Sequence, residues 1–163
     1  PFILPQSNFE QVSVHRTVTA VLVISGLPRD LCATVLTHEA FHVWCALTKD
    51  MPSRLPLKVE EGLSEYVAGR FVTWRMQREG DDLCSPINSN TSTNGNSKQT
   101  DTDANDNDNG WNRLLRRFIA HSLETNNDPI YGDGFREAAR CCDTLGLEIV
   151  LEHIKNNSSF PLL

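Results

Sequence analysis

The 163-residue sequence contains no C-x-x-C pair. Its five cysteines, at 32, 45, 84, 141 and 142, are odd in number and irregular in spacing, with two adjacent. That usage excludes a cysteine zinc knuckle and argues against a disulfide framework, so a reducing, cytoplasmic setting is expected. There is no signal peptide, and no apolar run approaches the length that crosses a membrane. No membrane partner is expected, and the sequons at Asn90, Asn156 and Asn157 carry little weight. No internal repeat is visible. The sequence also lacks an initiator methionine and begins with Pro1, so a piece of a longer protein is expected.

A basic patch is missing too. The net charge of −6 is concentrated in residues 79–110, which hold seven acids against Lys98. The rest of the chain carries 14 charges of each sign. Nothing here tracks a phosphate backbone, and nucleic acid is excluded as an expected partner. What remains is one domain, residues 1–163, with 39% hydrophobic content to build a core.

Residues 1–16 have no clear period and are read as a lead-in strand or a frayed edge. Thr17–Ile24 is β-branched and apolar, which predicts a buried strand ended by Ser25-Gly26. A helix is expected over 28–48, with Pro28 in its first turn and Asp30 at the positive end of its dipole. Its inward stripe is Leu31, Val35, His38, His42 and Cys45 or Ala46. A second helix should run from Leu57 to Arg78 on an apolar set that includes Val59, Leu63, Tyr66, Phe71 and Trp74. Residues 80–110 are Asn-, Asp-, Ser- and Thr-rich and are read as a disordered insertion without EF-hand spacing. A helix from Trp111 is expected to be amphipathic, with Trp111, Leu114, Leu115, Phe118, Ile119 and Ser122 on one face and Arg113, Arg116 and Arg117 mostly outside. Ile130–Gly134 reads as a glycine-rich loop, followed by helices over 135–144 and 147–156 separated by Gly146. The expected fold is α+β and mostly helical, with a small sheet packed on the first helix.

That first helix contains His38-Glu39-Ala40-Phe41-His42, an H-E-x-x-H run. Residues four apart share a helix face, so both imidazoles can grip one cation. Glu39 stands beside them, placed to take a proton from a zinc-bound water. A charged outer face would explain the same residues, but the histidines lie on the apolar stripe, where unpartnered imidazoles are costly to bury.

A catalytic zinc site needs a third protein ligand and leaves one position open. The returning helix offers Glu60, Glu61 and Glu65. This is similar to the gluzincin pattern, in which a Glu followed by Gly ligates the metal and an acid four residues on supports a histidine. The likeness assigns Glu61 as ligand and Glu65 as acceptor of a histidine N–H, with Glu60 the alternative ligand. A developing oxyanion needs a further donor. Tyr131, His121 and His153 are the candidates and Tyr131 is preferred; His15 has no assigned role.

The runs VTAVLVISGLPRDLCATVLTHEAFHVW, VEEGLSEYVAG, IYGDGFREA and LEHIKNNSSFPL together resemble the peptidase domain of the DA-one family. Those are ubiquitin-activated zinc peptidases of plants with LIM-type and ubiquitin-interacting segments upstream. The resemblance covers about residues 17–79 and 111–163. It implies a zinc peptidase (one Zn2+ held by His38, His42 and Glu61, with Glu39 as base) acting on regulatory proteins or peptides. It also implies importance for residues 131–136. Two departures matter. No LIM-like cysteine cluster or ubiquitin-interacting helix is present, so ubiquitin or ubiquitinated proteins would be partners only through segments outside this chain. Glu65 is closer to the wider gluzincin pattern than to the plant members. The alternative expectation is a catalytically silent, zinc-stapled module of a larger LIM- and ubiquitin-linked adaptor.

Overall fold

A computed structural model describes residues 17–80 and 103–163, with the backbone alone for 103–109. It contains five helices: α1 (Arg29–Leu47), α2 (Leu57–Arg78), α3 (Asp103–Thr125), α4 (Tyr131–Leu145) and α5 (Leu147–Asn157). Pro28 precedes α1, and its carbonyl accepts the Cys32 N–H at 2.9 Å. Asp50, at φ 71°, breaks the chain direction, and Pro52 and Pro56 keep α1 from continuing. Pro56 then opens α2 by accepting from Val59 and Glu60 at 2.9 and 3.1 Å. Contacts pair His42 with Glu60, His38 with Glu65 and Asp30 with Arg75, so α1 and α2 run antiparallel.

α2 packs against α1, α3 and α4 and is the central helix. One core forms where Leu63, Ala138, Cys141, Val150 and Ile154 meet, all fully buried. A second, of Val72, Met76 and Ile119, joins α2 to α3. α2 and α4 approach with no side chain between them. A Cβ added at Gly62 would lie 2.7 Å from the Cα of Gly134, and one at Gly134 would lie 2.6 Å from the Lys58 carbonyl oxygen. Among the described residues, Cys32, Cys141 and Cys142 are free thiols. Burial, with Cys141 and Asp143 nearby, pushes the Cys142 thiol up to about 12, so it stays protonated and packs as a small hydrophobe.

Several expectations are corrected. Among the described residues there is no strand, so the fold is all-helical and lacks the small sheet expected against α1. Thr17–Ile24 is extended coil, with Leu22 87% and Ile24 76% exposed. Its β-branched run satisfies strand propensity, but a strand exists only through ladder bonds to a neighbour, and helices fill the core instead. Ile130–Gly134 is not a loop: Tyr131–Gly134 is the first turn of α4. Its glycines serve close packing, and neither has positive φ. α3 begins at Asp103, ahead of Trp111, while residues 81–102 of the expected insertion, like the lead-in 1–16, lie outside the described residues.

The face that α3 turns inward also differs. Trp111, Leu114 and Phe118 are exposed, and Trp74 on α2 is too. Ile119 is buried as expected, but Asn112 and Arg116 are buried beside it. The reason is charge pairing. Asp30 and Glu79, at the adjoining ends of α1 and α2, both engage the Arg116 guanidinium, and Arg75 bridges the same two acids. Burial works to raise the Asp30 pKa. The hydrogen bond and charge of Arg116, with Arg75 and Arg29 behind them, outweigh it and hold the carboxyl below the ordinary aspartate value.

Two predictions follow from this packing. Gly62→Ala should destabilise the chain by about 1–3 kcal/mol in denaturant titration, because no side chain at the contact can move aside. Asp30→Asn should cost about 3 kcal/mol at neutral pH by leaving Arg116 buried with one partner fewer. Since the folded Asp30 pKa is depressed, its contribution is complete above about pH 4 and disappears as pH falls through the folded value. The loss measured for Asp30→Asn should therefore shrink steadily as acid is added.

Candidate metal centre

The antiparallel pairing of α1 and α2 brings two histidines and three glutamates together. His38 and His42 stand one turn apart on α1, with Nε2 atoms separated by 3.1 Å and ring centroids by 4.9 Å. Glu61 of α2 directs one carboxylate oxygen at both rings, 3.3 Å from Nε2 of His38 and 3.5 Å from Nε2 of His42. Bonds of roughly 2.0–2.1 Å to a tetrahedral cation put its ligands roughly 3.3–3.4 Å apart. The observed triangle is one face of such a tetrahedron.

The outer ring nitrogens are also engaged. Nδ1 of His38 faces the Glu65 carboxylate at 3.7 Å, and Nδ1 of His42 faces Glu60 at 3.4 Å. A carboxylate at Nδ1 favours the tautomer with the proton there, which leaves the Nε2 lone pairs pointing inward. The two Nε2 atoms and a carboxylate oxygen converge on one point, an arrangement that a cation between them would stabilise. Among the described residues, His38, His42 and Glu61 are the group of three donors able to share one ion. The donor set suits zinc.

Glu39 and Tyr131 line the same cleft, which has a volume of about 480 Å³. His121 and His153 do not line it. His121 is exposed on α3, and His153 contacts Asn157 on its own helix. Burial pushes the Glu65 carboxyl above its ordinary value, an effect that the His38 ring opposes and the Glu61 carboxylate reinforces. The Tyr131 phenol is raised chiefly by the Glu61 carboxylate, with desolvation, Asp128, Glu65 and Glu39 adding to it. The phenol is therefore neutral and able to donate a hydrogen bond at ordinary pH.

Sequence reasoning missed two parts of this arrangement. It weighed Glu60 only as an alternative ligand, whereas its side chain meets the outer face of His42. It also missed what holds Tyr131. Asp128 accepts the backbone N–H groups of Ile130 and Tyr131 on one side-chain oxygen, at 2.8 and 2.9 Å. Its carbonyl accepts those of Gly132 and Asp133, at 2.9 and 3.0 Å. Gly132 lies so close to Asn126 that a Cβ would come within 2.6 Å of that residue's carbonyl carbon. Arg136 donates to the Asn126 carbonyl at 2.7 Å and completes the clamp. The signal was present in Asp128-Pro129, an acid in the capping position followed by a proline suited to a helix start.

Asp128→Ala should lower stability by about 1 kcal/mol and broaden the NMR signals of Tyr131, while Asp128→Asn, which keeps an acceptor, should lose less. Equal losses in the two variants would show that the cap does not hold the tyrosine.

Among the described residues, no helix is long and apolar enough to cross a membrane. No solved structure gives a significant match to this chain. The chain is 32% identical over 145 residues to Protein DA1 of Arabidopsis thaliana, an alignment covering 89% of this chain and 25% of that protein. It is 34% identical over 145 residues to the LIM domain-containing protein HDR3 of Oryza sativa subsp. japonica, covering 89% and 28%. With Protein DA1-related 1 of Arabidopsis thaliana the identity is 31% over 144 residues, covering 88% and 25%. The chain thus spans about a quarter of the length of these curated relatives. The family model described as DA1-like, Protein DA1, matches residues 4–157, and with nearly the whole length inside that match, the chain belongs to the DA1-like family.

Proposed function

We propose that this chain is a zinc-dependent peptidase domain that hydrolyses peptide bonds in proteins. The observation that carries the reading is the triangle of His38 Nε2, His42 Nε2 and the Glu61 oxygen, with sides of 3.1, 3.3 and 3.5 Å. These three residues would hold one zinc ion, while Glu65 and Glu60 orient the two rings. Zinc bound here would act as a Lewis acid and favour ionisation of water at neutral pH. Glu39, in the same cleft, takes the proton from the attacking water and returns it to the leaving amine. The Tyr131 phenol, held on the first turn of α4, donates a hydrogen bond to the oxygen that gains negative charge.

The free thiols of Cys32, Cys141 and Cys142 support a reducing, cytoplasmic setting. The proposed substrates are proteins or peptides. Ubiquitin or ubiquitinated proteins would be engaged through parts of a longer protein, in keeping with relatives more than three times as long and one named for its LIM domain.

The test couples metal content to turnover. Wild type should hold one zinc. Glu61→Ala should lose zinc affinity by about 100-fold or more, and Glu60→Ala and Glu65→Ala by roughly 10–100-fold. Glu39→Gln should keep zinc while peptide hydrolysis falls about 10²–10⁴-fold. A zinc-loaded wild type no faster than Glu39→Gln on ubiquitin-pathway proteins would identify the chain as a zinc-stapled interaction module instead.

A further inference from the structure

We propose that the end of the cleft against α3 is a specificity subsite for a large apolar side chain, of leucine or phenylalanine type, next to the bond that is cut. The inference rests on the peptidase reading and extends it to substrate selection. The cleft is chemically divided. At one end stand the carboxylates, imidazoles and phenol described above. The other end is formed by Leu31 and Val35 of α1, Ala68 of α2, and Ile119 and Leu123 of α3, with Thr34 as its sole polar side chain. The Thr34 hydroxyl is already committed as a donor, to the Asp30 carbonyl at 2.7 Å.

The two ends are continuous because the helices carry both. On α1, Leu31 and Val35 precede His38 by two turns and by one. On α2, Ala68 follows Glu61 and Glu65 at spacings of seven and three, so it shares their face. Ala68 is 1% exposed, and its single methyl leaves the floor low. A residue whose backbone lies at the imidazoles is therefore within side-chain reach of the apolar end. An acidic side chain there would lose water without gaining a counter-charge, because Arg116 is already paired with Asp30 and the charged residues Glu39, Glu61 and Glu65 of the same cleft would repel it. An apolar side chain meets no such loss and leaves water for hydrocarbon walls. The third wall comes from α3, which lies beyond residues 81–102 in the chain, so the subsite is completed only when α3 packs on the α1–α2 pair that carries the metal-site residues.

The test uses three hydroxamates, built on glycine, leucine and aspartate, binding to the zinc-loaded chain by calorimetry. Leucine hydroxamate should bind roughly 10- to 100-fold more tightly than glycine hydroxamate, and aspartate hydroxamate no more tightly than glycine. Val35→Phe, which fills the subsite, should bring the leucine-to-glycine ratio toward one. Leu123→Ala, which widens it, should move the preference toward a tryptophan-sized group. Equal binding of the glycine and leucine compounds, or tightest binding of aspartate, would overturn this inference and leave the metal centre standing. Failure of all three to bind zinc-loaded protein would overturn both readings. The wild-type ratio decides the matter even if a variant does not fold.

Discussion

The rest of the structure depends on the contact between α2 and α4 at Gly62 and Gly134. With hydrogen atoms alone between the two backbones, the helices come closer than any side chain would permit. Gly62 is bonded to Glu61, and Gly134 lies one turn beyond Tyr131. One crossing therefore sets the distance between a carboxylate aimed at the imidazoles and the phenol on the far wall of the cleft. A methyl group at either glycine would separate them. Close packing of this kind, Gly134 against Gly62 and Gly132 against Asn126, explains why a glycine pair that reads as loop is helical: small residues permit backbone contact as readily as they permit turns.

Charge governs the other face of α2. Near its start, Glu60, Glu61 and Glu65 surround two histidines and leave donors pointing at each other. Near its end, Arg75 and Glu79 join Asp30 and Arg116 in one ion-pair group, with Arg29 at its edge. The first cluster has the geometry to take a cation; the second already pairs its acids with arginines. The difference separates a site from a strut. The strut fixes the far end of α1 and the rotation of α3, and it is why α3 buries an arginine and exposes two large aromatics. The apolar half of the cleft is thus walled by a helix held in place by ion pairing.

The site was legible in the sequence to a large extent because it is built on local periodicity. His38 and His42 four apart on an apolar stripe had to share a face, and the nine-residue break with two prolines had to return the chain antiparallel. α1, α2 and α5 run close to where their patterns place them, and Gly146 separates α4 from α5 with φ 90°. Thr17–Ile24 misled because strand propensity describes a fit to a sheet, and among the described residues no sheet exists. α3 misled because its apolar and cationic stripes are both candidates for the core, and the choice lies with acids more than 30 residues away.

By itself the sequence determined the donor types, their helical spacing and the direction of the returning helix, because these follow from backbone geometry within a few turns. Only the tertiary structure decided which glutamate meets which nitrogen. Glu60 and Glu61 are adjacent, and their directions differ by about 100° of helix rotation, so a small change in helix crossing would exchange their roles. It also decided that Tyr131, and neither His121 nor His153, shares the cleft, because that outcome depends on the Asp128 cap and on the glycine contact between α2 and α4. Both are consequences of long-range packing, which no local pattern records.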